Sequence, residues 1–417
     1  MSFKMTFRAR STAWSAALLC VLVAAVLAGC GSSSSNAGSG SGANSRSASG
    51  GGAGTVPAPK TGVAAITSPP AALTKAPAHK PGYITIRAYS GGYQAAMAKS
   101  AGKAFTAATG VKVRWDTTDE FVSFNKIDQE IRAGQRPDVD ASLQAQQRAY
   151  LDAARGLTLP ISTTLAPNAL KANRAVAAPP GTPASATTWA YMNPYSVTVA
   201  FITNPKLVDP KTLTSWNDLS QPRFKKSLIF DQIYSSTAFG MAHAMGVDPA
   251  NNPPSSLDPV WKRVEELRPN LVVLGSNTDV TTALSQGTGK VAITCTCAYN
   301  DAVSAGTNLV VVAPKDGLYE VADAYYIHKD IPAANYYYAQ VFANYLYAAQ
   351  TQATLAKEQS LIPSVPGSKL PPFMAKQPEV FPVTEAQQKA ANVVPAPIAL
   401  MARNDLPWQT SFENAIK

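Results

Sequence analysis

The sequence predicts an α/β protein built as two lobes. From Gly82 onward strand-like and helix-like stretches alternate, which in a compact chain gives a mostly parallel sheet covered by helices. Residues 82–417 are more than one hydrophobic core usually holds. The first 81 residues differ in kind, since they contain no Asp or Glu and only one short apolar run.

That run, Ala16 to Ala28, is 13 nearly all apolar residues behind Lys4, Arg8 and Arg10. A membrane-spanning helix needs about 20 such residues. A basic start, a short apolar stretch and small residues at its end instead describe an export signal. The ending Leu27-Ala28-Gly29-Cys30 resembles the lipobox of bacterial lipoprotein signals. The resemblance implies cleavage after Gly29 and a diacylglycerol on Cys30, so that residues 1–29 are a signal peptide and Cys20 leaves with it. Residues 30–81, rich in Ser, Gly, Ala and Pro, cannot bury enough apolar surface to offset chain entropy. They read as a disordered tether of roughly 40 Å root-mean-square span, holding a globular body above a membrane.

The formal charge of +10 belongs mostly to this leader. Lys4, Arg8, Arg10, Arg46, Lys60, Lys75 and Lys80 lie in residues 1–81, which leaves the body 29 basic against 26 acidic residues, or +3. That balance gives no support to a nucleic-acid partner, which would require clustered basic charge.

The body opens with a strand in GYITIRAYS, Gly82 to Ser90, then Gly91-Gly92 and a helix with Met97, Ala101, Ala104, Phe105 and Ala108 at helical spacing, ended by Gly110. VKVRW, Val111 to Trp115, is the next strand. A helix from about Phe121 to Ala133 carries Phe124, Ile127 and Ile131 on one face, and Asp138-Val139-Asp140 begins another strand. RFKKSLIF leads into a strand with Asp231 at its carboxyl end. KVAITCTCAY, Lys290 to Tyr299, alternates like a strand, and Asn335 to Glu358 reads as one long helix with Val341, Phe342, Tyr345, Leu346 and Ala349 inward.

Ligands of open α/β sheets bind beyond the carboxyl ends of strands. Two turns there stand out. In Ser90-Gly91-Gly92-Tyr93, glycines let backbone approach a ligand beside a helix start. In the segment from Asp231 to Ala242, Ser235, Ser236 and Thr237 stand at another helix start, although hydroxyls there also serve as plain caps.

The ordered series "AYSGGYQ", "KAFTAATGVKV", "IDQEIRAGQRPDVDAS", "YSVTVAFITNPKLV", "LTSWNDLSQPRFKKSLIFD", "LSQGTGKVAIT", "VVVAPKDGLYEVADAYYIHKDIPAANYYYAQVFANYL" and "SLIPSV" resembles bacterial extracellular solute-binding proteins of ABC importers, within the group that holds the polyamine-binding and ferric-iron-binding proteins. The resemblance covers most of residues 82–367. It implies a periplasmic-binding-protein type II fold, two α/β lobes hinged by crossing strands, with residues 82–195 in the first lobe, 196–300 in the second and 301–417 returning to the first. It also implies a monomer that carries a small solute to a membrane permease, with no cofactor, no resident metal and no catalysis. A sensor feeding a signalling partner would have the same lobes.

In polyamine-binding relatives carboxylates and aromatic rings hold the ligand, through ion pairing and attraction of ammonium groups to ring faces. Asp323 matches their acid, but Val321 stands where their tryptophan is expected, and Tyr234-Ser235-Ser236-Thr237 replaces a further acid after Asp231. The hydroxyls and the Ser90–Gly92 turn suit an oxyanion or organophosphonate instead. A ferric complex would call on Tyr325 and Tyr326, but adjacent residues of a strand face opposite ways. The expected ligand set is Ser90, Gly91, Gly92, Tyr93, Tyr195, Asp231, Ser235, Ser236, Thr237, Asp323 and Tyr325, for an organic cation first and an anion or metal complex otherwise.

Tyr89, Tyr191 and Tyr234 are further candidates to wall the cleft. Asp119 and Glu120 suit the dipole of the helix they precede without any ligand, and Tyr336-Tyr337-Tyr338 suits packing. Enzyme signatures fall short. His243 and His328 have no triad spacing, Ser123–Lys126 (S-x-x-K) lacks its partner motifs because Lys60-Thr61-Gly62 lies in the tether, and Gly287–Lys290 lacks phosphate-loop spacing. Cys295 and Cys297 share one face of an extended strand and read as two small thiols, since bridging them there would strain the chain.

Overall fold

The computed structural model describes residues 74–249, 257–304 and 306–417. The expected signal peptide, Cys30 and residues 31–73 of the expected tether lie outside these residues. Eight strands form the main path of a sheet, namely β1 (Tyr83–Arg87), β2 (Lys112–Asp116), β3 (Ala141–Ala145), β4 (Met192–Thr203), β5 (Leu228–Asp231), β6 (Leu271–Gly275), β7 (Val291–Cys295) and β8 (Tyr319–His328). Their order is β2-β1-β3-β8-β4-β7-β5-β6. The outer triplets are parallel, β2-β1-β3 at one end and β7-β5-β6 at the other. Between them every pairing is antiparallel. The mostly parallel sheet expected from strand–helix alternation therefore holds only at the two ends. In the centre, β4 and β8 run in opposite directions.

β4 is an unbroken run of twelve buried residues. Met192, Tyr195 and Val197 belong to a core with Met97, Phe105 and Phe342, whereas Val199 and Phe201 belong to a second core with Trp216, Phe239 and Trp408. One strand thus enters both cores. Its pairing with β8 slips between Asp323 and Tyr325, where Asp323 faces Tyr195 and Tyr325 faces Met192. The extra residue lies on β4, at Asn193-Pro194. Proline cannot donate to a ladder, so a bulge is where a central strand tolerates it. The freed Pro194 carbonyl accepts from Gln352 Nε2 and Ser364 Oγ at 2.8 and 2.7 Å.

The first helix departs from a simple period. Gly92–Met97 and Lys103–Thr109 are joined by a π turn, Ala98–Gly102. The wider turn advances the phase, so Met97, Ala101 and Phe105 stay buried while Ala104 and Ala108 become exposed. Gly110, at φ 77°, ends the helix as expected. The long helix read from Asn335 to Glu358 is two, Ala333–Leu346 and Ala349–Gln359, because Ala348 takes extended backbone. The turn carries Ala349 to the surface.

Cys295 closes β7 and Cys297 opens the helix Cys297–Ser304. The chain turns at Thr296, bringing the two Cα atoms to 5.2 Å, and the sulfurs are joined. Two free thiols presumed a continuous strand, and the turn removes that premise.

In the second core the helix Tyr234–Ala244 lies against Trp216. A Cβ on Gly240 would stand 2.1 Å from Trp216 Cζ2. Gly240→Ala is expected to cost about 1–3 kcal/mol through overpacking. Denaturant midpoints of the two proteins check this, and an unchanged midpoint would mean that the helix slides aside freely.

Candidate functional site

Asp323 stands opposite Tyr195 at the edge of the β4 bulge. Its carboxylate accepts from Tyr195 Oη at 3.2 Å, and the Tyr195 hydroxyl is itself hydrogen-bonded to that of Tyr93. Tyr89 gives Asp323 a second hydrogen bond and accepts from the Ala145 N–H at 3.1 Å. The rings of Tyr89, Tyr93 and Tyr195 stand edge to face in sequence, with centroids 5.3 and 6.0 Å apart. Three tyrosines, from the turn after β1, the first helix and β4, thus converge on one acid from β8.

A cation lies beneath them. Arg87, buried at 2 % exposure, stacks its guanidinium 5.1 Å from the Tyr89 centroid and donates to the Thr118 carbonyl at 3.3 Å. Gln144 turns its amide oxygen to Arg87 at 2.8 and 3.0 Å and its nitrogen to the Tyr326 hydroxyl. Burial pushes the Asp323 carboxyl up to about 7, against the opposing pull of Arg87 and the Tyr89 hydrogen bond. Glu120, half-buried at the start of the helix Glu120–Arg132, is likewise pushed up to about 7, by burial first and then by Asp323 and Asp119, with Arg87 again opposing. Two half-buried acids therefore sit near their midpoints at neutral pH, where a bound cation would ionise them.

A third acid comes from the C-terminal helix Ile398–Ile416. Asp405 accepts from Tyr234 Oη at 3.2 Å, and burial raises its carboxyl. Its field reaches Glu120.

Of the expected ligand residues, Tyr93, Tyr195 and Asp323 meet here. Ser90 and Gly91 lie exposed at the rim. Gly92 serves a close approach within the chain, because a Cβ there would meet Gln359 Nε2 at 2.7 Å and Asp301 Oδ1 at 3.1 Å. Asp231 is turned inward, accepting from the Ile233 N–H at 3.0 Å just before the helix Tyr234–Ala244 and from the Ser236 hydroxyl. The Ser235 hydroxyl bonds Tyr319, and Thr237 is fully buried. These three hydroxyls are therefore buried within the protein, and Tyr234 is the residue of that turn that bonds Asp405. Tyr325 is a core residue whose hydroxyl donates to the Ala339 carbonyl at 2.9 Å, so it does not join the cluster. Tyr191 is fully buried and bonded by Gln146 at 3.5 Å. His328 meets Ser142 at 2.8 Å, but both are sealed from solvent, and burial holds the imidazole neutral at about 3.

Residues 100–382 match the family described as bacterial extracellular solute-binding protein. The chain belongs to this family. A stretch of 131 residues is 30% identical to the spermidine/putrescine-binding periplasmic protein of Salmonella typhimurium, over 30% of this chain and 37% of that relative, so the match spans little more than a third of the relative's length. Among solved structures, the Streptococcus pneumoniae spermidine/putrescine ABC transporter substrate-binding protein PotD is similar with TM-score 0.62 and 16% identity, over 81% of this chain and all of its own. The PBP AgtB of A. tumefaciens R10, solved with agropinic acid, is similar with TM-score 0.64 and 18% identity, over 81% of this chain and 99% of its own. The fold is that of these substrate-binding proteins. Arg87, Glu120 and Asp405 are the members of this solute-binding protein's acid–tyrosine cluster that sequence reading left out. Arg87 hides as the last residue of a strand, Glu120 was sufficiently explained by a helix dipole, and Asp405 lies beyond the matched segment.

Proposed function

We propose that this is a lipid-anchored extracytoplasmic binding protein that delivers a small organic cation of the polyamine kind to the permease of an ABC importer. In this reading Cys30 carries the anchor, residues 82–195 with 301–417 form one lobe and 196–300 the other, and β4 and β8 are the strands on which the lobes hinge. A ligand bridging the lobes favours closure. The observation that carries the reading is Asp323, hydrogen-bonded by Tyr89 and Tyr195 where Tyr89, Tyr93 and Tyr195 converge, with its charge acting on Glu120. Carboxylates and aromatic faces together suit ammonium groups. The named ligands of the Salmonella relative and of PotD, spermidine and putrescine, agree with that chemistry. Arg87 beside Asp323 favours a second reading, an amine that also bears a carboxylate. AgtB, with its agropinic acid, shows that the fold accommodates an organic acid.

A thermal-shift panel of polyamines, amino acids, phosphonates and sulfate on the purified protein tests the cation reading. A ligand at about 100 times its Kd adds roughly 2.7 kcal/mol, enough to raise the midpoint by several degrees. Putrescine or spermidine should produce that shift. A shift with anions alone would replace the cation with an oxyanion ligand.

A further inference from the structure

We infer that the Cys295–Cys297 bridge is a redox-sensitive brace, which a dithiol opens to loosen the tyrosine cluster and weaken ligand binding there. The effect on affinity rests on the reading of that cluster as the ligand site, whereas the loosening does not. The bridge encloses one residue, Thr296. Loop-closure stabilisation grows with the length of the loop, so this bridge adds less to global stability than a longer one would. It fixes a corner instead. β7 ends at Cys295, which lies opposite Val199 of β4 and packs against the core that holds Tyr93 and Tyr195. Thr296, fully buried, donates its N–H to the Thr198 carbonyl at 2.9 Å. Cys297 then opens the helix Cys297–Ser304.

That helix leads to the cluster. Asn300 Nδ2 donates to the Lys357 carbonyl at 3.3 Å, and Asp301 accepts from Gln359. Both partners belong to the helix Ala349–Gln359, whose Glu358 pairs with Lys99 of the π turn. Gly92 lies so close to Gln359 and Asp301 that a Cβ there would meet both side chains. The next residue is Tyr93, whose hydroxyl is bonded to that of Tyr195. Contacts therefore run without a gap from the sulfur bridge, through one helix, to the tyrosines. Both cysteines are partly exposed, which gives a dithiol access to the bridge. In the exchange a thiolate of the dithiol attacks Cys295 Sγ, the S–S bond breaks, and Cys297 leaves as a thiolate. Cys297 is the first residue of its helix, where the N-terminus favours negative charge. The second thiol of the reductant then displaces Cys295 and closes the reductant's own disulfide. The protein gains two electrons and two protons, and the dithiol loses them.

The test compares hydrogen exchange, read by mass spectrometry, in the air-oxidised purified protein and in the same protein with dithiothreitol, both without ligand. Residues 297–304 and 92–97 should exchange at least about threefold faster on reduction, and return to the first rate on reoxidation. The double variant Cys295→Ser, Cys297→Ser should exchange at the faster rate with or without dithiothreitol. Reduction of the wild type keeps the test decisive if that variant fails to fold. Calorimetry should then show putrescine bound at least about fivefold more weakly by the reduced protein and by the double variant. Unchanged exchange on reduction, a double variant that still responds to dithiothreitol, or two free thiols titrating in the air-oxidised protein would overturn the brace. Faster exchange with putrescine affinity unchanged would overturn its link to the site while leaving the cation reading intact. If the oxidised wild type binds no amine, the cation reading fails, and the exchange rates alone decide whether the bridge braces the cluster.

Discussion

Asp323→Ala will abolish amine binding at micromolar concentrations while leaving the protein folded. The carboxylate is the convergence point of the Tyr195 and Tyr89 hydrogen bonds. Truncating one partner of a desolvated charge pair typically costs about 2–5 kcal/mol, or roughly 30-fold to several thousandfold in affinity. Isothermal titration with the best amine checks it. Asp323→Asn is the sharper control, because it keeps an oxygen for the tyrosines and removes only the charge. It should lose nearly as much affinity as alanine. It should also raise the stability of the ligand-free protein above pH 7. The folded carboxyl lies near 7, above its unfolded value, so the fold favours the protonated form. That contribution is complete below the unfolded pKa and is lost as pH rises through 7. Asparagine, which never ionises, avoids the loss, by about 1–2 kcal/mol once the partial exposure of the carboxyl is allowed for. If Asn binds amines like the wild type, the charge at 323 plays no part in recognition.

Amine affinity will rise steeply with pH between 6 and 8. Asp323 and Glu120 are both pushed up to about 7 by burial. A cation binds their ionised forms, so below pH 7 it must first displace protons. One such group makes affinity fall about tenfold between pH 8 and pH 6, and two independent ones about 100-fold. The two acids interact, so the profile reports the pair. Titrations in buffers of different ionisation enthalpy should show between one and two protons released per amine bound at pH 6. A flat profile between pH 6 and 8 would mean that neither acid contacts the ligand.

The strands and helices of the body were legible because their apolar periods are strong, and the first turn after β1 was placed by its two glycines. What the periods could not reveal was a change of pitch. The π turn at Ala98–Gly102 and the break at Ala348 both sit inside sequences that read as continuous helix. Asp323 was found by resemblance and Tyr195 as one of several tyrosines fit to wall the cleft, whereas the bulge at Asn193-Pro194 beside which they pair depends on a strand register that the sequence does not show. Asp231, Ser235 and Ser236 were misdirected for a physical reason. Acids and hydroxyls at a helix start bond nearby backbone, one another and nearby phenols as readily as a ligand, and here they do so. Arg87 and Asp405 needed tertiary structure, since they lie more than 300 residues apart in the chain and neither stands in a motif.

The most direct measurement is a crystal structure of the protein with putrescine or spermidine bound at pH 8. Amine recognition in this cleft predicts a ligand nitrogen within hydrogen-bonding distance of the Asp323 carboxylate, with the Tyr89, Tyr93 and Tyr195 rings around it. A ligand seated elsewhere, with Asp323 still bonded only to its tyrosines, would contradict it.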